Sequence, residues 1–252
     1  MTDAHCHVSC GDPAVRELLV GRNFFGVHPW ETLGETTGTC EIGEACETGA
    51  GHSSLACPAS HQLIASLRAA LLANPSAGVG EIGLDRLKCR DISPRMREVF
   101  ETQLALAIEL KRPVVLHGAK CWGQVVATVR ALNSRQPLTQ TIKQSNNQTL
   151  PPFLFHGFSR SDGLIPDIVK LNGYISVGPA VLNDHAVNYR ELVKKIPLDR
   201  LLVETDRTEA NAADCPPVRD VLAKVAELRG ISAAELEKIT DENVEKFFGA
   251  SL

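Results

Sequence analysis

The sequence has no run of about 18 apolar residues, which excludes an ordinary membrane-spanning helix. It has no basic-then-apolar leader either. Ligand-type polar residues begin at Asp3, so no secretory signal is expected. No C-x2-C pair occurs among the eight cysteines, and their irregular spacing in 252 residues suits neither a disulfide framework nor a structural zinc site. Cys40, Cys46, His52 and Cys57 share one small, acidic stretch and are expected to be incidental to a loop. Net positive charge is also missing. At −4, the chain lacks the global attraction of a non-specific polyanion binder, although a local basic rim remains compatible. There is no internal repeat, and no glycine-rich phosphate loop follows the first strand-like segment, which counts against a dinucleotide-binding fold. These absences predict a reduced, cytoplasmic protein with no membrane association.

With 44% hydrophobic and 22% charged residues, the chain has material for a full-sized core and no signature of disorder. Short apolar runs alternate with longer amphipathic ones. The runs at 3–7, 23–28, 77–84, 112–117, 152–156, 173–177 and 200–205 read as strands. Helical patterns fall at 61–74, 93–111, 121–133, 191–196, 216–230 and 232–249. Ser93 with Pro94 opens one of them, and a Ser232/Glu235 capping box opens another. "DPAVRELLV" (12–20) leaves room for one short helix between the first two strands. Apolar strands alternating with helices predict an α/β fold with a helix-covered parallel sheet, either open and doubly wound or closed into a barrel. One domain spanning 1–252 is expected, with polar loops inserted at about 31–60 and 134–151.

The polar residues fall at informative places. His5 and His7 belong to a D-x-H-x-H alternation that, on a strand, puts Asp3 and both imidazoles on one face. His28, His117 and His156 each follow an apolar run; Glu81 sits in "VGEIGLD" and Asp206 closes "LLVETD". Alone, each has an ordinary reading as a hydrogen-bonded or capping residue. Together they line the strand ends that carry chemistry in α/β barrels. Imidazoles with carboxylates suit divalent ions such as zinc or manganese. So many donors exceed what one catalytic ion takes from protein, and they suit two ions sharing a carboxylate, an arrangement used in phosphoester hydrolysis.

The segments "DAHCHVS", "GVHPWE", "VGEIGLDR", "KRPVVLHGAK", "FLFHGFSRS", "YISVGPAV" and "LLVETDR" resemble, in this order, the TatD family of metal-dependent deoxyribonucleases, within the wider amidohydrolase-like barrels. The resemblance covers most of the chain apart from the two inserts. It implies a TIM-type (β/α) barrel, here distorted or with seven clear strands because only Val8 to Gly26 separate the H-x-H strand from "GVHP". It further implies one ion on His5, His7, Glu81 and Asp206, and a second on Glu81, His117 and His156 with Glu81 bridging. Zn, Mg or Mn would all serve. Asp206 would also position or deprotonate the attacking water. His28 would line the pocket, with Lys120 and Arg207 as further candidate phosphate contacts. Where the family often carries an arginine, two residues after the "VVLH" histidine, this chain has Ala119 beside Lys120.

The implied activity is metal-dependent hydrolysis of phosphodiesters from a 3′ end, on DNA, an oligonucleotide or a small phosphoester. The alternatives are an amide, lactone or aminoacyl-ester hydrolase on the same site, and a metal-binding protein without turnover. A basic segment (Lys88, Arg90, Arg95, Arg97) reads equally as a phosphate contact and as a solvated face. Cys6 is expected to face away from the histidines. Cys121 is expected to be an incidental buried thiol rather than a reactive helix-end one.

Overall fold

The computed structural model describes residues 1–33, 58–88, 90–135 and 150–249. Cys40, Cys46, His52, Cys57 and most of both inserts lie outside these residues. Among the described residues there are eight strands: β1 (Thr2–Cys6), β2 (Arg16–Leu19), β3 (Phe24–Phe25), β4 (Gly78–Asp85), β5 (Val114–Ala119), β6 (Phe153–Phe155), β7 (Gly173–Val177) and β8 (Leu201–Val203). The helices are α1 (Pro58–Ala73), α2 (Pro94–Glu109), α3 (Trp122–Arg135), α4 (Ile165–Lys170), α5 (Val187–Lys195), α6 (Val218–Arg229) and α7 (Ala233–Phe248). Ser93 and Ser232 cap α2 and α7 by accepting from Met96 N and Glu235 N, as their sequence signals predict.

All strand pairs are parallel. β3 to β8 form one six-stranded sheet in chain order, and β1 pairs with β2. The barrel is laced rather than closed by a continuous ladder. Val20 bridges to Phe24 on one side of the β1–β2 pair. On the other, Asp206 N donates to His5 O (3.1 Å) and His7 N to Arg207 O (2.8 Å).

The segment at 12–20 is not a helix. It carries β2, an eighth strand, and no helix crosses from β1 to β2 or from β2 to β3. Only Leu18 of the four β2 residues is buried, so the segment lacks the continuous apolar run that marks a buried parallel strand. What recruits it is pairing with β1, Thr2 opposite Arg16 and Cys6 opposite Leu19.

Along β5 to β8, side chains alternate between two environments. Val114, Leu116, Phe153, Phe155, Ile175, Leu201 and Val203 pack outward in the large core beneath the helices. Val115, Leu154, Tyr174 and Leu202 face inward with Phe24 and are plugged by Val244, Phe247 and Phe248 of α7. Two residues further along each strand, on that inward face, stand His117, His156, Ser176 and Glu204. The barrel interior is therefore an apolar floor with a polar layer on top, at the C-terminal ends of the strands.

Candidate metal centre

Glu81 is the hub of the polar layer. It lies in β4 where the ladder to β5 is irregular between Val79 and Ile82, a bulge of the kind that re-aims a side chain. Close by, Gly83 has φ +154°, and a Cβ there would stand 2.0 Å from His117 O, so only glycine lets β4 and β5 approach at this point. Glu81 Oε1 lies 2.5 Å from His117 Nδ1, 2.6 Å from His156 Nε2 and 3.4 Å from His28 Nε2. Oε2 lies 3.3 Å from both His5 Nε2 and His7 Nε2. Asp206, at φ 50°, brings Oδ1 to 3.8 Å from His5 Nε2 and 3.7 Å from His7 Nε2. All six residues expected as ligands thus converge, and His28, expected to line the pocket and contact substrate, approaches Glu81 almost as closely as His5 and His7 do. Asp3, the first member of the alternation, points elsewhere. Its carboxylate accepts from Thr205 N and Thr205 Oγ1, tying β1 to the end of β8.

Five imidazoles around one buried carboxylate make an unusual electrostatic knot. Burial works to raise Glu81, but the charge on His156 and the surrounding ring hydrogen bonds hold it well below the usual carboxylate range. Burial works against protonating His156 too, yet Glu81 lifts it to about 10. Burial, with the His156 charge added, pushes His5 down. His5 Nδ1 and Nε2 and His156 Nδ1 are buried without a hydrogen-bond partner among the described residues. Orphaned ring nitrogens beside an anionic hub are the environment a cation completes. The donor set, imidazole and carboxylate without thiolate, fits divalent ions. Three groups bring one ligand atom each within 4.8 Å: His5/Glu81/His156, His5/His7/Asp206 and His28/Glu81/His117.

A second layer of residues escaped the sequence reading. Asp85 Oδ1 accepts from Leu87 N and Lys88 N (2.6 and 2.8 Å), while Oδ2 accepts from Trp30 Nε1 (2.5 Å) and meets His117 Nε2 at 3.0 Å. Burial opposes its charge, but these bonds, His117 first, keep Asp85 well below the ordinary range. A carboxylate there can only accept, so Asp85 holds a proton on His117 Nε2; Nδ1 faces the Glu81 carboxylate in turn, and against its burial the two carboxylates raise His117. With an ion bound, Nδ1 would be the nitrogen left to ligate it. Glu204 accepts from Gly157 N (2.6 Å) and Ser176 Oγ (2.5 Å), and burial raises it to about 7. Buried Gln103 of α2 brackets Val27, accepting from its N–H (2.7 Å) and donating to its carbonyl (3.1 Å), which fixes the backbone leading into His28. The local signals were present in "GLD" and "VETD", but the partners lie tens of residues away.

Among the expected substrate contacts, Lys120 is exposed with φ 56° just after β5. Arg207 is half-buried, and its carbonyl accepts from His7 N and Val8 N. Asp206, with its side chain 48% exposed, joins Glu204 in the wall of an open cavity of about 930 Å³ that also meets Arg160, His185 and Tyr189. Cys6 is buried against Leu18 O, away from the histidines. Cys121 donates to Leu84 O (3.2 Å), and burial lifts its thiol to about 11, so it is not a reactive thiol.

A profile of the family described as TatD related DNase matches residues 20–249. The chain belongs to this family. It is 30% identical over 179 residues to the uncharacterized metal-dependent hydrolase YabD of Bacillus subtilis (strain 168), covering 68% of this chain and 64% of YabD. It is also 30% identical over 183 residues to the 3'-5' ssDNA/RNA exonuclease TatD of Klebsiella pneumoniae (strain 342), with the same coverage of 68% and 64%. The chain thus spans just under two thirds of these relatives. The crystal structure of YjjV, a TatD homologue from Escherichia coli K12, superposes with a TM-score of 0.61 at 23% identity, over 93% of this chain and 76% of YjjV, a likeness of fold. No helix among the described residues is long and apolar enough to cross a membrane.

Proposed function

We propose that this TatD-family chain hydrolyses phosphodiester bonds of single-stranded nucleic acid, working from a 3′ end, at a centre that holds two divalent ions. His5, His7, Glu81 and Asp206 would hold one; Glu81, His117 and His156 would hold the other. The observation that carries this reading is the position of Glu81, whose two oxygens face different imidazole pairs, His5/His7 on Oε2 and His117/His156 on Oε1. When bound, divalent ions supply Lewis acidity, polarising a phosphoryl oxygen and easing deprotonation of a water at neutral pH.

The chain's own residues supply the rest. Asp206 is the exposed carboxylate beside the hub, placed to orient a water and take its proton. His28 at the rim offers a donor for a non-bridging phosphate oxygen, with Lys120 after β5 and Arg207 after β8 as further candidate contacts. Asp85 locks the tautomer of His117. The apolar floor beneath excludes bulk water from the buried side of the centre. The name of the Klebsiella relative supports both the nucleic-acid substrate and the polarity.

The test is a panel in which Mg2+, Mn2+ or Zn2+ is added to the chain with single-stranded DNA, a small phosphodiester or an aminoacyl ester. Strand cleavage that disappears in Glu81→Gln and Asp206→Asn is the expected result. Cleavage of the ester alone would replace the phosphodiesterase by an acyl-transfer hydrolase. Ion binding with no turnover on any substrate would leave a metal-binding protein.

A further inference from the structure

Trp30 follows β3 in a short 3₁₀ turn (Pro29–Leu33) and is 42% exposed, whereas Trp122, the other tryptophan of the chain, is 5% exposed and packs in the core. The exposed ring is not loose. Its Nε1 donates to the buried Asp85 carboxylate at 2.5 Å, and its backbone N donates to His28 Nδ1 at 3.1 Å. Its centroid lies 4.5 Å from the ring of His28 and 6.1 Å from that of His117. Lys88 Nζ lies 3.2 Å from the indole centroid, so an ammonium accompanies the ring. A large aromatic, 42% exposed, is therefore tethered at the lip of the ion cluster with its polar atom satisfied inward and the Lys88 ammonium resting on one face of its ring.

Core packing does not account for that arrangement. A fixed aromatic surface beside a cation is what unpaired bases stack on in single-strand binding sites, because every base presents a π-face. Resting on the function proposed above, we infer that Trp30 is the stacking platform for a base of the bound single strand, adjoining the bond at the metal centre, with Lys88 moving off the ring to meet a phosphate of that strand. Within a duplex the bases already stack on one another, so this residue favours an unpaired end over a paired one.

The experiment uses the full-length, metal-loaded chain and two short single strands with hydrolysis-resistant phosphorothioate linkages, one bearing bases and one abasic. The base-bearing strand should quench tryptophan emission and the abasic strand should not. Trp30→Ala should weaken binding of the base-bearing strand about 5- to 150-fold, the range that base–aromatic stacking carries, with a much smaller effect on the abasic strand. Trp30→Phe keeps a ring but loses the bond to Asp85, and it should retain most of the affinity. Equal weakening of both strands, or loss of bound metal in Trp30→Ala with no base-specific effect, would overturn the inference and leave Trp30 a positioning residue for Asp85. Equal affinity of the wild-type chain for the two strands would overturn this inference alone. Failure to bind either strand would overturn the nucleic-acid reading as well.

Discussion

Replacing Asp85 by Asn is close to isosteric and removes one charge, yet the four groups around this carboxylate make the outcome specific. Leu87 N and Lys88 N donate to Oδ1, and Trp30 Nε1 and His117 Nε2 face Oδ2. Every neighbour is a donor in the arrangement described, so an amide NH2 faces two donors in either orientation. Turned toward Leu87 and Lys88, it leaves two backbone N–H groups unsatisfied, at about 1–3 kcal/mol each. Turned toward His117, the conflict is relieved when the imidazole moves its proton from Nε2 to Nδ1, and the half-exposed Trp30 N–H turns to water. The second orientation costs less and should prevail. It leaves Nδ1–H pointing at Glu81, and the lone pair offered to an ion is lost. The expected effect is about a 10- to 100-fold fall in affinity for one ion, roughly 1.4–2.8 kcal/mol. Calorimetric titration of Zn2+ or Mn2+ into the metal-free variant reads this directly, and nitrogen chemical shifts of His117 report the tautomer. Ion affinity and His117 tautomer both unchanged in Asp85→Asn would refute the reasoning.

Three other outcomes follow from the same geometry. Glu81→Gln removes the carboxylate shared by both imidazole pairs, so metal content per chain should fall toward zero with turnover at background; retention of either ion would show that the hub is not shared. Gly83→Ala places a Cβ 2.0 Å from His117 O at φ +154°, and the free energy of unfolding read from a urea titration should fall by on the order of 3 kcal/mol or more, whereas wild-type stability would mean that the β4–β5 approach is looser than described. Chelation should lower the thermal midpoint, since an ion held at about 100 times its Kd contributes roughly 2.7 kcal/mol to the folded state. A midpoint indifferent to chelator would contradict an ion-completed site.

Of the residues that converge on Glu81, His5 and His7 were legible from their alternation, and His28, His117, His156 and Asp206 because each closes a short apolar run, and parallel strands of a barrel deliver such positions to one rim. His117 and His156 show this most simply, two residues beyond the inward-facing Val115 and Leu154. Strand β2 was not legible. Its single buried residue, Leu18, gives neither alternation nor an apolar run, and its strand identity comes from pairing with β1. Asp85 and Glu204 were visible as acids but not as partners. Asp85 acquires its role from Trp30 and His117, which are 55 and 32 residues away, and Glu204 from Ser176 and Gly157, at separations of 28 and 47. The "GVHP" resemblance gives His28 only a pocket-lining, phosphate-contacting place; its approach to Glu81 depends on Gln103 of α2 gripping Val27.

Crystals grown with Mn2+ or Zn2+ and measured at the absorption edge of that metal would count and place the ions in one experiment. Two anomalous peaks flanking Glu81 are expected, one among His5, His7 and Asp206 and the other between His117 and His156. One peak only, or peaks lying away from the Glu81 oxygens, would contradict a two-ion centre built on that carboxylate.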